Sequence, residues 1–254
     1  MDGALISMQD IGVRFGRLDA LKGINLNLHR QEFSILLGSS GAGKTTLLRS
    51  INFLVIPTSG RIVSAKYGVI SQRRLALMRR HRRDIAMVFQ QHQLIGRLTA
   101  LDNVLIGRLG YYSCIRTLLP FSRRDQELAL SCLERVGLLD KSLEKVSNLS
   151  GGQKQRVGVA RALAQQPKII LADEPIASLD PKSSDQILML LKNICTRDGI
   201  ACLISLHQVE FAKKYGDRVI GISNGSLCFD RHPNNLADYD LNMMYQSDQE
   251  AIAM

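Results

Sequence analysis

Apolar residues fall into short runs and alternating stretches along this chain, a pattern typical of β-strands. Residues 24–28 alternate between apolar and polar side chains, and residues 33–37 form a continuous apolar run. Five further strands are predicted at residues 85–89, 168–172, 201–206, 218–222 and 226–229. Helical patterns separate several of these strands, and this order predicts an α/β fold.

Helical spacing appears in the segments between the predicted strands. Leu47, Leu48 and Ile51 predict a helix after Lys44, and a Pro-Thr-Ser-Gly turn at residues 57–60 closes that segment. The strand pattern fades between residues 91 and 166, and helices are predicted there at residues 126–136 and 153–164. We therefore expect one domain over residues 1–230, with a helical subdomain inserted at about 91–166. The polar and acidic end of the chain, 231–254, is expected to form a loosely attached helix or tail.

Composition limits the class of protein. The chain has 254 residues and is 45% hydrophobic, which supports a real core. Its longest apolar runs are strand-length, so no transmembrane helix is predicted, and the N-terminus shows no secretory signal. The five cysteines are scattered without a C-x-x-C pair, which favours reduced thiols. We expect a cytosolic protein.

The formal net charge of +10 suggests anionic partners such as nucleic acid or a membrane surface. Many of the cations lie in one stretch, from Arg73 to Arg83. Leu75, Leu77 and Met78 give this stretch partial helical spacing. No aromatic residues interleave for base stacking, so we interpret it as a solvated helix face and expect no nucleic-acid partner.

A glycine-rich segment joins the predicted strand at 33–37 to the following helix, and it fits the phosphate-loop pattern G-x-x-x-x-G-K-[ST]. The eight residues are Gly38, Ser39, Ser40, Gly41, Ala42, Gly43, Lys44 and Thr45. Glycines let backbone N–H groups surround phosphates, and Lys44 supplies a positive charge for the β- and γ-phosphates. The Thr45 hydroxyl suits Mg²⁺, and Thr46 should support the loop. The chain is therefore predicted to bind the phosphates of a nucleoside triphosphate together with Mg²⁺.

Two acids follow the apolar residues 169–172. Buried carboxylates at the end of such a strand require a cation or a proton. Asp173 is predicted to face the Mg²⁺ ion. Glu174 can turn toward the γ-phosphate at the strand end and orient or deprotonate water, so it is the candidate general base.

A second anion site is predicted at the start of the helix near residue 153. Ser150 can cap this helix, and Gly151 and Gly152 expose backbone N–H groups to a phosphate. The whole segment, Leu149-Ser150-Gly151-Gly152-Gln153, resembles the signature of the ATP-binding-cassette family. Together with the phosphate loop and the paired acids, it makes the resemblance specific, and the resemblance extends from about Ile6 to Asp230.

The resemblance assigns roles to four further residues. Gln90 resembles the glutamine that meets metal or water and senses the membrane partner, and His207 resembles the histidine that contacts the γ-phosphate. Asp180, in a Ser-Leu-Asp segment, resembles the loop that crosses the dimer interface, and it also fits as the N-cap of a helix starting at Pro181. Phe15 resembles the aromatic residue that stacks on adenine, although a core position fits the sequence equally well.

The resemblance implies a RecA-like phosphate-loop ATPase core, an antiparallel β subdomain and an inserted helical subdomain. It also implies a head-to-tail dimer in which the signature of one copy covers ATP on the loop of the other. The expected partners are transmembrane permease subunits and, indirectly, a periplasmic solute-binding protein. These partners imply that the chain binds the cytoplasmic face of the inner membrane.

Secondary motifs look like those of the subunit that powers phosphonate import. They are the segments 102–110, 116–119, 206–210, 215–221 and 225–230. Phosphite or phosphate remains an alternative solute, because none of these residues belongs to a solute pocket. A cassette ATPase acting on DNA or the ribosome is disfavoured, since the chain has one cassette and no sustained heptads. A nucleotide-binding regulator without turnover would need neither Glu174 nor His207.

Overall fold

The computed structural model describes residues 3–71, 74–91, 93–113 and 119–244. Three features predicted above lie wholly or partly outside these ranges. They are Arg73 in the basic stretch, residues 116–118 of the phosphonate-type motif, and residues 245–254 of the tail.

Two sheets form the centre of the described structure. The first is antiparallel, with strand order β2-β1-β4-β5, and the second has the order β10-β9-β3-β8-β7-β6. In the second sheet all neighbouring strands are parallel except β9 and β10. The strands are β1 Ala4–Phe15, β2 Leu18–His29, β3 Phe33–Leu37, β4 Ser59–Ser64, β5 Gly68–Ile70, β6 Ile85–Val88, β7 Ile169–Asp173, β8 Ala201–Leu206, β9 Arg218–Ser223 and β10 Ser226–Arg231.

Helices cover the parallel sheet, as expected when its strands are buried on both faces. The helices of the described residues are α1 Lys44–Ile51, α2 Leu75–Asp84, α3 Ala100–Leu105, α4 Arg123–Arg135, α5 Gly151–Ala164, α6 Pro181–Asp198 and α7 Val209–Tyr215. Helices α3, α4 and α5 pack on one another and lie between β6 and β7 in the chain, which is where a helical insert was predicted. The α/β prediction is confirmed.

The register of the parallel strands brings the candidate site residues to one edge of the sheet. Leu37 at the end of β3 pairs with Leu206 at the end of β8, and Asp173 at the end of β7 pairs with Ser205. The carboxyl ends of β3, β7 and β8 therefore meet, and ligands of open α/β sheets bind at such an edge. The segments that follow these strands carry the phosphate loop, Glu174 and His207.

A hairpin turn connects the antiparallel sheet to the phosphate loop. The N–H of Lys22 in β2 donates to Gly225 O at 2.8 Å, and the N–H of Gly225 donates to Ala42 O at 3.0 Å. The turn between β9 and β10, Asn224-Gly225, thus fixes the loop from the side. Sequence patterns missed β1, β4 and β5: bulges interrupt the alternation in β1, β4 begins at Ser59 inside the turn predicted at 57–60, and β5 has only three residues.

Helix α2 corrects the interpretation of the basic stretch. Arg79 and Arg80 are exposed as predicted, but His81 is buried and its Nε2 lies 2.8 Å from Ile51 O. Burial lowers the pKa of His81. Arg82 is exposed and also donates from Nη2 to Phe53 O at 2.6 Å, so this end of the helix is attached to the loop after α1 as well as facing solvent.

Two other expectations also change in detail. Strand β7 begins one residue later than predicted and includes Asp173, because that residue still pairs with β8. Residues 238–244 are helical, and Leu236 and Met244 are buried. This part of the C-terminal segment packs on the core and is therefore not loosely attached.

Candidate nucleotide-binding site

The phosphate loop has the backbone conformation that its glycines permit. Gly41 has φ of 83° and Gly43 has φ of 107°, a region that other residues rarely adopt. A Cβ at Gly43 would also lie 2.8 Å from Ala20 O, so a side chain there would displace the neighbouring strand. Helix α1 begins at the next residue, so the positive end of its dipole lies at the loop.

Lys44 places a positive charge inside this loop. Its side chain is 4% exposed, and Nζ donates to Gly38 O at 2.9 Å and Ser39 O at 2.7 Å. The same Nζ lies 3.8 Å from Glu174 Oε1. A buried ammonium surrounded by carbonyls and one carboxylate is well placed to neutralise an incoming phosphate.

Asp173 and Thr45 form an oxygen pair beside the loop. Thr45 Oγ1 donates to Asp173 Oδ1 at 2.9 Å, and Asp173 is buried. Arg49 Nη2 lies 4.0 Å from the other oxygen, Oδ2. A hydroxyl and a carboxylate are the hard ligands that Mg²⁺ prefers when it also binds phosphate oxygens. These two residues therefore fit the predicted Mg²⁺ position.

Glu174 and His207 meet across the ends of β7 and β8. His207 Nε2 lies 2.6 Å from Glu174 Oε1. Glu174 has φ of 45°, and this turn directs its carboxylate toward the phosphate loop. A carboxylate next to Lys44 and held by a histidine is placed to interact with water near a γ-phosphate.

One open cleft of about 580 Å³ unites most of the predicted residues. Its lining includes Phe15, Ser40, Gly41, Gly43, Lys44, Thr45, Thr46, Gln90, Glu174 and His207. Phe15 is 52% exposed on this cleft, so it is not a core aromatic residue and its ring is free to stack on a base. Gln90 is exposed and reaches the same cleft from the end of β6.

The signature segment does not line its own chain's cleft. Ser150 caps α5 as predicted: its hydroxyl accepts the Gln153 N–H, and the Gln153 side chain accepts the Ser150 N–H. Asp180 likewise caps α6 by accepting the Ser183 N–H at 3.0 Å. Hydrogen bonds from Ser183 lower the pKa of Asp180. Both segments are accessible to another molecule.

Three residues near the cleft were not found from the sequence. Lys22 and Asn224 line its wall. The Asn-Gly pair at residues 224–225 is a sequence signal for a hairpin turn, and it could have predicted the position of Asn224. Ser205 contacts both Asp173 and the backbone of Glu174. The sequence feature that could have indicated Ser205 is a single hydroxyl side chain within an otherwise apolar, buried strand.

The fold and cleft define a nucleoside triphosphate-binding protein of the phosphate-loop class. The family model described as ABC transporter matches residues 21–177. The chain belongs to the ABC transporter family, which confirms the resemblance drawn from the signature.

Curated relatives extend this similarity over nearly the full chain. A protein of Trichodesmium erythraeum named "Phosphonates import ATP-binding protein PhnC 1" is 53% identical, and the alignment covers 96% of each chain. A protein of Stutzerimonas stutzeri named "Phosphite import ATP-binding protein PxtA" is 54% identical over 91% of this chain and 82% of its own.

Solved structures support the same fold. A dimeric ATP-binding cassette in a post-hydrolysis state with ADP and phosphate is 34% identical, with a TM-score of 0.76, covering 91% of this chain and all of its own. The ADP conformation of another cassette is 25% identical, with a TM-score of 0.82 and 99% coverage of both chains.

Proposed function

We propose that the chain is the ATP-hydrolysing subunit of an importer that takes up phosphonate. The observation that carries the hydrolytic part is the contact of Glu174 with both His207 and Lys44 in the nucleotide cleft. Nucleotide binding alone requires a cation and backbone N–H groups but no carboxylate at this position. The importer part rests on relatives whose names describe phosphonate and phosphite import.

We assign each residue of the cleft a separate role in hydrolysis. The loop and Lys44 bind the triphosphate, and Phe15 stacks on the base. Glu174 orients a water molecule and accepts its proton, while His207 holds the Glu174 carboxylate and contacts the γ-phosphate. Thr45 and Asp173 would hold Mg²⁺, with Gln90 nearby, and the bound ion would supply positive charge to the phosphates.

Two copies complete each site. The signature residues lie outside their own cleft and expose a capped helix N-terminus, which suits the phosphates of ATP bound to another copy. Similar cassettes have been solved as dimers. In this arrangement Ser150, Gly151, Gly152 and Gln153 of one copy cover the nucleotide of the other, and Asp180 lies at the interface.

A groove between the core and the helical insert is the proposed contact with the permease. It has a volume of about 560 Å³ and extends between α2, α5 and the 3-10 helix Ile106–Tyr111. Phe89 and Gln93 line this groove, whereas the intervening Gln90 lines the nucleotide cleft. Apolar and basic residues line it, including Leu75 and Arg79, so we propose that it receives a permease helix with apolar and acidic side chains.

Leu75→Asp should lower solute uptake without lowering the rate of ATP hydrolysis. Leu75 is 71% exposed, so its replacement should leave the fold and the ATPase rate of the isolated subunit intact. Uptake in cells should fall by about 10-fold or more, because a new charge opposes an apolar contact and an acidic partner. Leu143→Asp is the matched control, since Leu143 is 76% exposed and lies away from the groove. Equal uptake by both variants would contradict this docking surface.

The importer proposal also implies where in the cell the chain is located. Within the described ranges, no helix has the length and apolarity needed to cross a membrane. We propose that the chain binds the cytoplasmic face of the inner membrane through permease subunits. A periplasmic solute-binding protein would deliver phosphonate to the same permease from the other side.

Phosphonate is the first candidate solute, and phosphite is the second because the relative named for phosphite import is equally similar. A strain lacking this gene should fail to grow on methylphosphonate as the sole phosphorus source and should still grow on phosphate through a separate route. The intact gene should restore growth, and the Glu174→Gln form should not. Unimpaired growth on methylphosphonate, in a strain without another phosphonate importer, would contradict the first candidate. Loss of growth on phosphite alone would favour the second.

A further inference from the structure

The backbone of Glu174 adopts a conformation that is uncommon for a non-glycine residue. Its φ is 45°, and it directly follows the last residue of β7. Neighbouring side chains of a continuing strand would point to opposite faces. The turn instead brings Glu174 Oε1 to 2.6 Å from His207 Nε2, while Asp173 Oδ1 lies 2.9 Å from Thr45 Oγ1. Glu174 thereby lines the nucleotide cleft, while Asp173 stays buried against Thr45 beside it. The turn at Glu174 therefore needs contacts that hold its backbone in this conformation.

Ser205 is in direct contact with both acids. Its side chain is fully buried, its Oγ accepts the Glu174 N–H at 2.9 Å, and it donates to Asp173 Oδ1 at 3.2 Å. A serine hydroxyl has one proton and two lone pairs, so it satisfies both bonds at once. We propose that Ser205 is a positioning residue that fixes the turn at Glu174 and so aims the Glu174 carboxylate at the water that attacks ATP. This inference rests on the proposed hydrolysis.

Strand β8 and the residue that follows it contact Glu174 at two points. Ser205 binds the backbone N–H, and His207, two residues further along, contacts the side-chain carboxylate. Without the hydroxyl, the Glu174 N–H would lose its partner and the backbone would be free to leave the left-handed region. The Ser205 hydroxyl bonds to Glu174 and Asp173, whereas Lys44 Nζ donates to the loop carbonyls of Gly38 and Ser39. The effect should therefore fall on turnover, with little change in nucleotide affinity.

Ser205→Ala should lower kcat for ATP about 10- to 100-fold, whereas KM and the nucleotide dissociation constant should change less than about threefold. Like Glu174→Gln, it should accumulate an ATP-bound dimer on gel filtration, because hydrolysis is needed to separate the copies. Ser34→Ala is the matched control: Ser34 is also buried, lies on neighbouring β3, and donates to Glu32 at the opposite end of the sheet. It should keep kcat within about twofold.

If the alanine variant unfolds, a threonine variant and a valine variant test whether turnover depends on the hydroxyl. Ser205→Thr and Ser205→Val have nearly the same shape, and only threonine retains the hydroxyl. Threonine should give a kcat at least about 10-fold above that of valine. In the Glu174→Gln background, Ser205→Ala should add less than about a twofold further loss, because Ser205 acts through that carboxylate.

Equal kcat for the threonine and valine variants would overturn the assignment of Ser205, as would wild-type turnover by Ser205→Ala. A full, independent loss in the Glu174→Gln background would also overturn it, since Ser205 would then act by another route. These results would leave the proposed ATPase intact as long as the unmodified protein hydrolyses ATP. Absence of hydrolysis by the unmodified protein would overturn both proposals.

Discussion

Glu174→Gln is expected to lower the steady-state ATPase rate by about 100-fold or more, because glutamine cannot accept the proton of the attacking water. Nucleotide affinity should stay close to that of the unmodified protein. The amide has a similar size, and the groups that bind phosphate, Lys44 and the loop backbone, are unchanged. The purified variant should therefore accumulate as an ATP-bound dimer. Phosphate release at saturating ATP measures the rate, and gel filtration measures the dimer.

Glu210→Gln provides the matched control for this variant. Glu210 is exposed at the start of α7, three residues after His207, and it does not line the nucleotide cleft. The same chemical change at this position should leave the ATPase rate within about twofold. A Glu174→Gln protein that hydrolyses ATP at the unmodified rate would show that another group acts as the base.

Local signals made the nucleotide site predictable. The phosphate loop, the strand ending in Asp173 and the signature each lie within a few consecutive residues, and each has a strand or helix context that the sequence also shows. Asp180 and Ser150 were predicted as helix caps for the same reason, and the structure confirms both capping bonds. Short stretches of sequence therefore carried the signals for all of these features.

Features that depend on distant contacts were not predictable in this way. The burial of His81 depends on a carbonyl 30 residues away in the chain, and nothing in its own basic helix indicates it. Ser205 depends on the register between β7 and β8, which a single sequence does not reveal. Phe15 fitted a core position and a binding surface equally well until its exposure was known.

Ser150→Arg should abolish hydrolysis while sparing nucleotide binding to the separated monomer. Losing the cap of α5 costs only about 1 kcal/mol, so the fold should survive. The larger effect arises at the opposite copy, where a long cationic side chain would occupy the space needed by the γ-phosphate. Ser131→Arg is the matched control, since Ser131 is an exposed serine on α4 of the same helical insert.

Mixing Ser150→Arg with Lys44→Ala tests whether the defects lie in different halves of a shared site. The mixed dimer contains one composite site with an intact phosphate loop and an intact signature, and its other site carries both defects. Partial activity should return when one complete site is sufficient for hydrolysis. Neither variant alone should show this activity at the same total protein concentration.

The ATPase rate of Ser150→Arg alone tests the composite site most directly. It should be measured at saturating ATP and Mg²⁺, at a protein concentration where the unmodified chain is dimeric. We expect less than about 1% of the unmodified rate, with nucleotide affinity of the monomer retained and Ser131→Arg fully active. A Ser150→Arg protein that hydrolyses ATP at the unmodified rate would contradict the account, because each chain would then complete its own site.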